Sequence, residues 1–76
     1  MIKVRFNDTE AGEIEGGALP LDHGTYPFMP YRSFAHLELV TEVNKNGAGA
    51  AIELSDNRTR QAVLCKVLTA DRITIE

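Results

Sequence analysis

Ile2, Val4 and Phe6 alternate with Lys3 and Arg5 at the start of the chain. A period of two places apolar side chains on one face and charged ones on the other, which predicts a half-buried strand over 1–7. The stretch NDTEAGEIEGG then breaks the pattern, with Ile14 as its only large apolar residue. It reads as loop, with one short extended piece around Glu13–Glu15. Ala18 to Arg32 holds all three prolines, Pro20, Pro27 and Pro30. Each lacks a ladder donor, so this segment reads as a long, ordered, irregular loop.

The run AHLELVTEVNKNGAGAAIELSD reads as a β-hairpin turning at Asn46-Gly47, a pair suited to the two positive-φ positions of a type I′ turn. In that register Leu37, Leu39, Thr41, Val43, Ala50, Ile52 and Leu54 share one face, and Glu38, Val40, Glu42, Ala51 and Glu53 the other. A slip by one residue would undo the sorting. The rival is a helix over 34–44 with Ser33 as N-cap. It would group Leu37, Val40 and Thr41 but send Leu39 and Val43 to other faces, so the strand is preferred.

SDNRTRQ supplies a turn around Asp56–Arg58. Beyond it, a strand over 59–68 would put Val63, Cys65 and Val67 inside and Ala62, Leu64 and Leu68 outside, with Lys66 interrupting. A helix over 57–68 is the alternative, and β-branched residues favour the strand. Ile73 and Ile75 alternate with Arg72 and Thr74 in a closing strand over 72–76. The expected fold is all-β: a small five-stranded antiparallel meander or barrel with a long Pro/aromatic loop, or α+β if 57–68 is helical.

Composition adds bounds. The chain has 76 residues, enough for a single small globular domain spanning 1–76. Cys65 is the only cysteine, so no disulfide forms within the chain. That, and an N-terminus that turns polar within a few residues, point to a cytoplasmic setting. No apolar run approaches a membrane span. The net charge is −3 and the basic residues are scattered, so nucleic-acid binding is not expected, unless Arg58, Arg60 and Arg72 gather at one end of the barrel.

Candidate chemistry is sparse. Asp22-His23 lacks a nucleophile, and Cys65 reads as a small core residue. The acids Asp8, Glu10, Glu13 and Glu15 lack the ligand spacing of a calcium loop, and neither a metal site nor a cofactor is expected. Nor does Gly47–Ala51 open a helix as a phosphate cradle would.

One segment stands out. TYPFMPYRSF, residues 25–34, carries four of the chain's five aromatics, Tyr26, Phe28, Tyr31 and Phe34. Aromatics beside proline and arginine are the composition of interface cores. Phe28, Met29 and Phe34 are expected to turn inward as a lid on the open end of the barrel. The segment is then either a lid alone or a lid that leaves Tyr26, Tyr31 and Arg32 for a partner. The outer face of 59–68, with Ala62, Leu64, Lys66 and Leu68, is the expected oligomer interface. The expected function is a non-enzymatic binding module, an accessory protein that self-associates or binds another protein. The alternative from another class is a small-molecule or enzymatic pocket formed by Asp22, His23, Tyr26 and Tyr31.

Overall fold

A computed structural model of the chain describes residues 1–45 and 47–76. Six strands, β1 (Ile2–Phe6), β2 (Thr9–Ile14), β3 (Gly24–Pro30), β4 (Ala50–Ser55), β5 (Arg60–Leu68) and β6 (Arg72–Ile75), form an antiparallel barrel closed in the order β1-β2-β3-β6-β5-β4. Every strand is paired on both sides, so closure removes the free edges that a five-stranded meander would have to cover. A helix, α1 (Phe34–Lys45), lies between β3 and β4.

The all-β barrel reading holds, and several of its parts are corrected. Residues 35–45 are helix. Ser33 is its N-cap: the His36 amide donates to Ser33 Oγ at 3.4 Å, and that hydroxyl donates to the Glu10 carbonyl at 3.2 Å. The inward stripe is Ala35, Leu39 and Val43, spaced four apart, and it fits the barrel mouth. Asn46, the first residue of the expected hairpin turn, lies outside the described residues. A tight turn with two positive-φ residues sits at Asn7-Asp8, with φ of 52° and 63°, joining Phe6 to its partner Thr9.

Residues 9–14, expected as loop with a short extended piece around Glu13–Glu15, are β2. Its inward positions include Ala11 and Gly12, too small to register as a hydrophobic pattern. Phe28 fills the space above them: a Cβ on Gly12 would lie 2.5 Å from Phe28 Cζ and 2.5 Å from the Met29 carbonyl oxygen.

The proline segment contains β3, and its prolines stand where ladders end. Pro27 is the last residue paired with β6, and Pro30 the last paired with β2. Phe28 is buried as expected, but Met29 is 42% exposed and Phe34 82%. Residues 60–68 are strand, not helix. Its pairing with β6 slips between Cys65 and Val67, a bulge that reverses the in-out alternation. Leu68 therefore points inward and Val67 outward, the reverse of the expected faces.

The core fills the barrel with Ile2, Val4, Ile14, Phe28, Ile52, Leu54, Cys65, Ile73 and Ile75. Both mouths are stoppered. At one, α1 packs most heavily on β2 and β5, which stand half a turn of the barrel apart. Both carry bulges at the level of the helix, with Ala11 and Lys66 as the unpaired residues. At the other mouth the β2–β3 connection folds Leu21 inward. The Gln61 side chain clamps it, accepting from the Leu21 amide at 2.7 Å and donating to the Leu21 carbonyl at 2.9 Å.

Candidate functional site

The helix cap decides what the aromatic segment presents. With Ala35, Leu39 and Val43 turned into the barrel, residues 34, 37, 38 and 41 face away from it at 100° per residue. Phe34 is 82% and Leu37 62% exposed, side by side on that outer face. They form a ridge with a groove on each flank. One groove, of about 600 Å³, is bounded by Pro30, Tyr31, Arg32 and His36. The other runs past Phe6, Glu38 and Thr41.

Tyr31 is fixed from two sides. Its amide donates to the Ala11 carbonyl at 2.9 Å, and its hydroxyl donates to Glu13 Oε1 at 2.6 Å. The carboxylate bond, then burial and the charges of Glu13 and Glu10, push the Tyr31 hydroxyl up to about 12. It therefore stays protonated and holds its donor role across the physiological range. His36 lies beneath the ridge against Phe28, ring centroids 6.0 Å apart. Its Nε2 is buried and, among the described residues, has no hydrogen-bond partner.

The residues singled out from sequence are dispersed. Tyr31 and Arg32 border the groove. Tyr26 stands five positions earlier, roughly 16 Å along β3, with its hydroxyl donating to the Asp22 carbonyl at 2.7 Å. Asp22 and His23 belong to the connection at the Leu21 mouth, so Asp22, His23, Tyr26 and Tyr31 do not converge on one cavity.

On β5, Ala62 and Leu64 are exposed beside Val67, and Leu68 is in the core. Lys66 reaches the Ala48 carbonyl at 3.3 Å and Glu76 at 3.7 Å. Arg60 opens the nine-residue β5, while Arg72 follows the turn at its far end, ~26 Å away, so Arg58, Arg60 and Arg72 do not gather.

The acids of β2 are also spoken for in part, Glu10 by Lys3 at 3.3 Å and Glu13 by Tyr31. Burial pushes the Cys65 thiol up to about 11, far from thiolate reactivity at neutral pH. Among the described residues no three His, Cys, Asp or Glu side chains come together to hold a metal ion. No described helix is long and apolar enough to cross a membrane. Comparison with protein-family models, with curated proteins and with solved structures finds no match to the chain.

Phe34 and Leu37 are the residues that sequence reasoning placed wrongly. Leu37 is expected on the inner face of a strand, and Phe34 is expected to turn inward from the aromatic loop. The signal that could have found them was Ser33, an N-cap three residues before His36 and followed by thirteen residues without proline or glycine.

Proposed function

We propose that the chain is a non-catalytic binding module whose contact surface is the Phe34–Leu37 ridge with the Tyr31–Arg32 border. Its partner is a protein, itself or another, and its role is accessory to that partner. The observation that carries this reading is the exposure of Phe34, 82%, beside Leu37, 62%, on a helix whose other face is fully engaged. Burying two such side chains on association releases ordered water over a contiguous apolar surface. Aromatic residues and arginine are also enriched where partners bind. A lone, buried cysteine accords with a reducing, cytoplasmic setting.

The test is a photo-crosslinking amino acid placed at position 34 in cells that natively make the protein, with one at Arg60 as control. A protein adduct at position 34 and none at position 60 is expected. Absence of any protein adduct at position 34 overturns the reading.

A further inference from the structure

The ridge has a charge at each end. Arg32 precedes the N-cap, and Glu38 follows Leu37 on the same outward face. Both are exposed, and among the described residues neither side chain makes a hydrogen bond or ion pair within the chain. Cation, apolar pair and carboxylate thus follow one another along about two turns.

Such a surface is complementary to itself under a two-fold axis, where the same patch serves both partners. In an antiparallel helix pair centred midway between 34 and 37, position n of one copy faces position 71 − n of the other. Phe34 then meets Leu37, position 33 meets 38, and Arg32, with its long side chain, lies alongside Glu38. A parallel pairing would set Arg32 against Arg32 and Glu38 against Glu38, repulsive at both ends.

Resting on the reading of the ridge as a contact surface, we infer that its occupant is a second copy of this chain. The two α1 helices dock antiparallel, Phe34 of each against Leu37 of the other, with an Arg32–Glu38 pair at each end. The closed barrel supports this route over strand pairing, since every strand already has two neighbours.

Size sets the strength. A standard interface hides about 800 Å² per partner, about a sixth of the 4805 Å² surface of this chain. A contact of one helix and its flanking groove reaches that at most, so dissociation is expected at micromolar concentrations, on the order of 1–100 μM.

Sedimentation equilibrium of the full chain from about 1 to 500 μM reads the result. The wild type is expected to move from monomer to dimer across this range. Phe34→Ser and Leu37→Ser, both at exposed positions, are expected to remain monomeric throughout and, at the dilute end of this range, to keep the wild-type circular dichroism and thermal midpoint. Arg32→Glu and Glu38→Arg each introduce two like-charge contacts, weakening the dimer about tenfold or more at low salt. The double variant Arg32→Glu/Glu38→Arg is expected to restore it, and the two single variants mixed are expected to form the heterodimer.

A chain that stays monomeric to 500 μM overturns the inference. So does a dimer that survives Phe34→Ser but is broken by Leu64→Asp, which would put the contact on β5. A dimer lost in Phe34→Ser but indifferent to the charge exchanges overturns the antiparallel arrangement. A crosslink from position 34 to a different protein, with no dimer in solution, overturns the second copy while leaving the contact-surface reading standing.

Discussion

Replacing Leu39 by Ala should cost far more stability than replacing Phe34 by Ala, although Phe34 is the larger side chain. Leu39 is 0% exposed, at the centre of the stripe that stoppers the barrel. Its truncation loses the transfer energy of the deleted carbons and leaves a cavity beneath the helix, together about 2–5 kcal/mol. A chain of this length has roughly 4–11 kcal/mol in total, so the variant keeps a fraction of its stability or none. Phe34 is 82% exposed and transfers little surface on folding. Alanine is also the better helix former, so Phe34→Ala should change stability by no more than about 0.5 kcal/mol. Urea unfolding followed by circular dichroism measures both. With a slope near 1 kcal/mol per molar for so small a domain, Leu39→Ala should lower the midpoint by ~2 M or more. The assignment of inner and outer helix faces would be refuted by a loss under about 1 kcal/mol for Leu39→Ala, or above about 1.5 kcal/mol for Phe34→Ala.

Three further outcomes follow from particular contacts. Gly12→Ala drives a methyl against the Met29 carbonyl and the Phe28 ring, both 2.5 Å away, and should cost about 1–3 kcal/mol in a thermal melt; an unchanged midpoint would mean that β2 and β3 are not this close. Gln61→Ala removes both bonds to Leu21 and should cost about 1–3 kcal/mol while accelerating hydrogen exchange at the Leu21 amide, and exchange at the wild-type rate would dismiss the clamp. Tyr31→Phe should cost about 1 kcal/mol at neutral pH. Because folding raises the Tyr31 hydroxyl from 10.0 to about 12, its contribution is complete below pH 10 and lost as pH climbs towards 12. The gap between wild type and Tyr31→Phe should therefore close over that interval, and a gap that persists at pH 12 would count against the Glu13 bond.

Three of the strands that could be read from the chain have large, alternating inward residues, Ile2, Val4 in β1, Ile52, Leu54 in β4, and Ile73, Ile75 in β6, while β5 is read from its β-branched content. Beta-2 escaped because its inward positions Ala11 and Gly12 carry almost no side chain, and the volume they leave is taken by Phe28 from another strand. The helix escaped for the opposite reason. Leu37, Leu39, Thr41 and Val43 imitate a period of two, whereas the barrel mouth selects only Ala35, Leu39 and Val43, a choice made by tertiary packing. The exchange of Val67 and Leu68 followed from one bulged residue, which periodicity cannot see. At the site, Tyr31 and Arg32 stood out by composition. Phe34 stood out with them, but its outward direction did not, nor did that of Leu37, because the exposure of both depends on the neighbouring stripe being buried.

The barrel also has a direction. Beta-1 begins and β6 ends towards the mouth stoppered by Leu21, on opposite sides of the ring, while α1 occupies the other mouth. Whatever is joined beyond Met1 or Glu76, whether a bead, a fluorophore or a neighbouring domain, holds the barrel from its far side and turns Phe34 and Leu37 outward. Immobilisation by either end therefore presents the same surface to solution, and a layer of such anchored chains would display a uniformly oriented helical face.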